Sequence, residues 1–201
     1  MLDRTLSRLI ARPLQALAQA LHRLGIGANT VTLLGFGLGI AAAVAIALQA
    51  YGMAIALLLA SRLCDGLDGA LARLTQATDA GGFLDIALDF LFYASIPLAF
   101  ALADPGRNAL AAAALLAAFI GTGSSFLAFA VIAAKRQMTS TAYPGKSFYF
   151  LGGLTEASET LAFFVAMCLW PQHFAVLAWV FAGLCLLTIA TRLWWGYTRF
   201  R

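Results

Sequence analysis

Charge is what this 201-residue sequence has least of: 11% of its residues are charged, where an ordinary soluble domain carries about 25%. With 62% hydrophobic residues and a mean hydropathy of +0.87, that shortage excludes a soluble globular domain. Cysteine is scarce as well. Cys64, Cys168 and Cys185 are odd in number and scattered through apolar runs, which excludes a disulfide framework and a zinc site and leaves small core residues. Two histidines, His22 and His173, lie away from the acidic residues and need no chemical role. Residues 1–24 lack the unbroken apolar stretch of a secretory signal, because Arg4, Arg8, Arg12 and Arg23 interrupt it. The net charge of +4 and sequence pI of about 9.3 come without any nucleic-acid-binding motif, so the expected partner is an anionic lipid leaflet and not nucleic acid.

What is abundant is long hydrophobic runs. Those over 31–51, 90–103, 109–134 and 161–170 are long or extendable enough to cross a hydrocarbon core of ~30 Å. Breaks at Gly52, 78–82, Pro105–Gly106, 137–146 and Pro171 predict six spans, over 29–50, 52–74, 80–103, 107–134, 151–170 and 173–198. The expectation is an all-α integral membrane protein of one domain over 1–201. Its six-span bundle over 29–198 follows an amphipathic interfacial helix over 1–25. Leu2, Leu6, Leu9, Leu14, Leu17, Leu21 and Leu24 recur there at helical spacing, with Pro13 as an expected kink. A cytoplasmic helix packed on the bundle is the alternative. Arg4, Arg8, Arg12, Arg23, Arg73, Lys135, Arg136, Lys146, Arg199 and Arg201 fall on one side in this threading and Arg107 alone in an opposite loop. The positive-inside rule makes the first side cytoplasmic, as in a bacterial-type inner membrane. Gly35 and Gly39 form a G-x-x-x-G pair that suits helix packing and could serve a homodimer. Phe90, Phe92, Tyr93, Phe126 and Phe129 read as lipid- or core-facing aromatics, and Trp194, Trp195 and Tyr197 as an interfacial belt.

Against that background stand Asp65, Asp68, Asp85 and Asp89. Each carboxylate on a membrane helix costs roughly 2.5–3.5 kcal/mol by insertion measurements, so something cationic must compensate them. On a helix Asp68 lies about 60° from Asp65, with Gly69 and Ala72 on the same face. Asp85 and Asp89 are i and i+4 on the next span. The short connection predicts antiparallel neighbouring helices and four carboxylates converging at the cytoplasmic end. Like charges so close destabilise one another unless a cation intervenes, and all-oxygen ligation suits Mg²⁺ or Mn²⁺ better than zinc. The physical inference is a two-ion carboxylate site of the kind that clamps the oxygens of a phosphoryl displacement.

The pattern D-x2-D-G-x2-A-R-x7-G-x3-D-x3-D, read through Asp65, Asp68, Gly69, Ala72, Arg73, Gly81, Asp85 and Asp89, resembles the signature of the CDP-alcohol phosphotransferases at all eight fixed positions. The resemblance implies transfer of a substituted phosphate from a CDP-linked donor, CDP-diacylglycerol or another CDP-alcohol, to a small alcohol acceptor with release of CMP. It implies two Mg²⁺ or Mn²⁺ ions, with Asp65, Asp68 and Asp85 as ligands and Asp89 completing the site as general base. Gly69, Ala72 and Arg73 would contact the donor, with Thr78 a weaker candidate. Asn29, Thr30, Val31 and Thr32 match an N-x-x-T element that lines the family's nucleotide pocket, although Asn29 at a helix start is equally an ordinary cap.

Other charges stay open between several roles. Lys135, Arg136 and Lys146 are acceptor-side cations or marks of topology alone. Glu156 and Glu159, i and i+3 in an expected span, recognise the acceptor, pair internally with Lys146 or Arg62, or sit at a cytoplasmic end outside lipid. The segment 146–160 departs from that of glycerophosphate- or inositol-phosphate-using members, which leaves the acceptor open. The reverse reaction, a CDP-linked small alcohol delivering to a lipid hydroxyl, and an ion-coupled transporter that uses the carboxylates as a cation path are the alternatives.

Overall fold

The computed structural model describes residues 2–138 and 155–201, and every regular element among them is helical. In chain order these are α1 (Leu2–Arg23), α2 (Ala28–Ala47), α3 (Tyr51–Thr75), α4 (Asp79–Ala103), α5 (Pro105–Lys135) and α6 (Ala157–Leu169). A short 3₁₀ turn (Pro171–His173) leads into α7 (Phe174–Phe200). A backbone in hydrocarbon must satisfy its own polar groups, and the helix does so.

Among the described residues, four segments are long and apolar enough to cross a membrane: α2, α4, α5 and Pro171–Phe200. The α3 helix is 25 residues long but carries Arg62, Asp65, Asp68 and Arg73. The described α6 is shorter, at 13 residues, and the rest of the expected span over 151–170 lies outside the described residues. Sequence punctuation sets the ends. Thr78 caps α4 by accepting from Gly81 N at 3.1 Å, and Asp104 caps α5 by accepting from Arg107 N at 3.2 Å, with Pro105 at its first position.

The main core joins α2 to α7 through Ile46, Leu58, Phe92, Phe100, Phe164, Phe174 and Phe181. Phe100 stacks on Phe174, and Phe163 on Phe181, each with centroids 4.4 Å apart. A second cluster places Leu14 and Ala18 of α1 on Leu67, Ala70 and Leu71 of α3. The N-terminal helix therefore packs on the bundle through α3. Trp194, Trp195 and Tyr197 are exposed, as a belt requires.

One expectation is overturned. Although only Gln76, Ala77 and Thr78 separate α3 from α4, the main packing of each is on α2 and not on the other. The glycine face of α2 permits this. A Cβ at Gly35 would lie 2.9 Å from Cys64 Cβ, and one at Gly39 would press into the Phe92 ring. Ser61 Oγ donates to Gly35 O at 2.7 Å across the close approach. The G-x-x-x-G face is thus consumed inside the protomer and is not a homodimer surface. With α2 as a common spine, α3 and α4 stand apart where their carboxylates face one another.

Candidate active site

Asp65 and Asp68 project from α3, and Asp85 from α4, so that one carboxylate oxygen from each lies within 4.8 Å of the other two. Asp68 is 6% exposed, and its Oδ2 is buried with no hydrogen-bond partner among the described residues. A buried acceptor left unsatisfied costs about 1–3 kcal/mol, and more when charged. These three aspartates surround a void of about 10 Å³ together with Thr32, Gly35, Ser61, Arg62 and Asp89, room for about one water-sized occupant. An all-carboxylate donor set, an orphaned buried oxygen and a void of that size fit a hard divalent cation.

Asp89 sits differently. Arg62 donates from NH1 to Asp89 Oδ1 at 2.9 Å and lies 3.5 Å from Asp65 Oδ1, while its guanidinium stacks 4.0 Å from the centre of the Phe92 ring. All four carboxylates therefore line one void, and Arg62 holds Asp89 at 2.9 Å and Asp65 more loosely at 3.5 Å. The pairing of Arg62 with a glutamate is overturned by this geometry. A lone arginine three residues before Asp65 in an apolar helix is itself the signal that should have placed Arg62 in the site.

Asp68, Asp85 and Asp89 also face a cleft of about 670 Å³ bounded by α2, α3, α4 and Phe126 of α5, a volume usual for small-molecule sites. Gly69, Ala72, Arg73, Thr78, Asn29 and Thr32 all line it. A Cβ at Gly69 would meet only the Arg73 guanidinium, at 3.5 Å, so the missing side chain leaves space to the cleft. Gly81 is different: a Cβ there would come within 3.0 Å of Asn29 Oδ1 and 3.1 Å of Thr78 Oγ1, the two side chains that frame the rim.

Other candidate residues lie away from the cleft. Thr30 and Val31 are not in the cleft, because on a helix Asn29 and Thr32 share a face that the two residues between them do not. Val31 is buried among Leu14, Leu67 and Leu71, and Thr30 is exposed. Asn29 is not the cap of α2, since that position belongs to Gly27. Lys135 and Arg136 do not line the cleft; Arg136 donates to Phe200 O at 2.6 Å and so ties α5 to the end of α7. Lys146 lies outside the described residues. Glu156 and Glu159 form a capping box at the start of α6, with Glu159 Oε2 accepting from Glu156 N at 3.2 Å. They serve the helix end, and neither lines the cleft. Conversely Phe90, Tyr93 and Phe126, read as lipid- or core-facing, wall the cleft.

A family model described as CDP-alcohol phosphatidyltransferase matches residues 26–194. The chain is 54% identical over 197 residues to the Inner membrane protein YnjF of Escherichia coli K12, covering 98% of this chain and 96% of that protein. It is 36% identical over 94 residues to the Archaetidylinositol phosphate synthase of Pyrococcus horikoshii, covering 46% of this chain and 50% of that one. Among solved structures, the Mycobacterium tuberculosis phosphatidylinositol phosphate synthase PgsA1 with CDP-DAG bound superposes with a TM-score of 0.68 at 23% identity, covering 93% of this chain and 94% of that one. The same enzyme in complex with manganese and citrate gives 0.72 at 21%, covering 92% and 89%. At those identities the likeness is one of fold.

Proposed function

The chain belongs to the CDP-alcohol phosphatidyltransferase family, and on that premise we propose that it moves a phosphatidyl group from CDP-diacylglycerol to the hydroxyl of a small polar alcohol. The observation that carries this reading is the Asp65–Asp68–Asp85 cluster opening on a cleft of nucleotide size. A structure of a fold relative with CDP-DAG bound supports the donor class, and one with manganese supports the metal.

Asp65, Asp68 and Asp85 would hold Mg²⁺ or Mn²⁺, with a second ion reaching Asp89. Bound there, the metal offsets the charge that develops on the pyrophosphate oxygens. Asp89 accepts the proton of the acceptor hydroxyl, whose oxygen forms the new bond to phosphorus. The phosphorus–oxygen bond to CMP breaks, and its electron pair leaves with CMP. Arg73 turns its planar fork of donors to the donor phosphates. Gly69 and Ala72 let the donor lie against α3, while Asn29, Thr32 and Thr78 border the nucleotide. Phe90, Tyr93 and Phe126 give an apolar wall for the lipid end. Lys146 supplies the acceptor-side cation.

The same reading makes the chain a single membrane domain of six spans, with α3 and α6 counted among them. The helix α1 lies at the interface and the site faces the cytoplasm, as the basic residues on that side require. The test is CMP release from CDP-diacylglycerol in detergent with Mg²⁺ or Mn²⁺ across glycerol 3-phosphate, inositol, inositol phosphate, serine and glycerol. CMP with one acceptor, abolished in Asp89→Asn, supports the reading. A folded, metal-binding protein silent across the panel removes CDP-diacylglycerol and turns the search to CDP-linked small alcohols.

A further inference from the structure

Arg62 has no part in the reaction above, yet it is aimed into the acidic cluster. Its side chain is 13% exposed, and it is fixed from several directions: NH1 to Asp89 at 2.9 Å and Asp65 at 3.5 Å, NH2 to Ser61 Oγ at 3.3 Å, and the flat face against Phe92. Its Nε is buried with no hydrogen-bond partner among the described residues, so hydrogen bonding alone does not explain the placement. The carboxylates supply the explanation. Asp65, Asp68 and Asp85 converge on one another, with Arg62 3.5 Å from Asp65, and Asp89 takes its shorter bond, at 2.9 Å.

We propose that Arg62 is a tethered cation that competes with the second divalent ion for Asp89 and Asp65. The inference rests on the two-ion reading. The first ion enters the Asp65–Asp68–Asp85 side, where three carboxylates already face one another. A second ion must draw on Asp89, and there it meets a guanidinium already bonded to that carboxylate at 2.9 Å. Two like charges at such separation repel by an amount that burial enlarges. Formal charge points the same way. Four carboxylates with one divalent ion and Arg62 leave a single negative charge, whereas a second ion with Arg62 still in place overshoots into excess positive charge within an apolar bundle. The competition therefore yields two unequal sites, with Arg62 setting the weaker.

The experiment is a Mn²⁺ titration of the purified full chain in detergent, followed by the electron paramagnetic resonance signal of unbound Mn²⁺, for the wild type and Arg62→Gln. The expected result is a tight and a weak ion in the wild type, with the weak one tightened about tenfold in the variant, the equivalent of about 1.4 kcal/mol. A weak site unchanged or weakened by Arg62→Gln overturns the competition while leaving the two-ion site intact. A single ion in both proteins overturns it equally. No Mn²⁺ uptake by the folded wild type removes the metal reading itself. Should Arg62→Gln fail to fold, Arg62→Lys keeps a cation without the fork that reaches both carboxylates. It is expected to tighten the weak ion about threefold, and no tightening there also counts against the proposal.

Discussion

A methyl group at Gly39 is expected to disturb the acidic cluster from the far side of the packing that supports it. The added Cβ would lie 2.9 Å from Phe92 Cε2, closer still to Phe92 Cδ2, and 3.1 Å from Ser61 Oγ. Phe92 has nowhere to go. It is 1% exposed, edge-on to Tyr93 at 5.3 Å and Phe164 at 6.3 Å, and Arg62 lies over its face. Overpacking of a filled core costs about 1–3 kcal/mol, and for a chain of this size each kcal/mol lowers the melting temperature by roughly 2–4 °C. Gly37 on the same helix is the internal control, because a Cβ there meets nothing within 4 Å and replacing glycine in a helix gains up to about 1 kcal/mol. Thermal unfolding in detergent should therefore show Gly39→Ala falling by several degrees and Gly37→Ala holding or rising. A Gly39→Ala protein as stable as the wild type, or equal losses at both positions, would refute the packing argument.

Asp68→Asn and Asp89→Asn are each expected to lower CMP release at least 100-fold, in line with the 10²–10⁴ that positioned acid–base groups contribute. Only Asp68→Asn should also abolish tight Mn²⁺ uptake, and equal loss of uptake in both variants would contradict the division of the cluster. Arg73→Gln should raise the donor KM about tenfold with a smaller change in kcat, since a charge-assisted contact is worth about 1.5–3 kcal/mol; an unchanged donor KM removes Arg73 from the donor site. Glu159→Ala should cost about 0.5–1 kcal/mol in thermal unfolding by opening the capping box of α6. A rise in acceptor KM without loss of stability would restore the recognition role that the capping geometry displaced.

Much of the site was legible because it is local. Asp65, Asp68, Gly69, Ala72 and Arg73 occupy successive turns of one helix, so spacing alone puts them on a common face, and the same holds for Asp85 and Asp89. Asn29 and Thr32 were legible for that reason, whereas Thr30 and Val31 were swept in by a contiguous motif whose middle residues the helix turns away. Glu156 and Glu159 stayed open because an i, i+3 acidic pair looks the same in a buried span and in a capping box, and only the location of the helix start separates the two. Arg62 was visible as an intramembrane cation, but its partner was not, since Asp89 lies 27 residues away on a different helix.

The amino-acid sequence by itself determined the helical elements and the class of chemistry. Apolar runs in a chain with so few charges must become helices that satisfy their own backbone, and four aspartates in such a chain demand a cation. Tertiary structure alone decided how those aspartates are shared out. The bare backbone at Gly35 and Gly39 lets α2 take α3 and α4 on its surface, which holds the two acidic helices apart and opens the cleft between them. Three carboxylate oxygens then cluster within 4.8 Å while Asp89 takes the shortest bond to Arg62, an arrangement set by distances between helices that no spacing along the chain encodes.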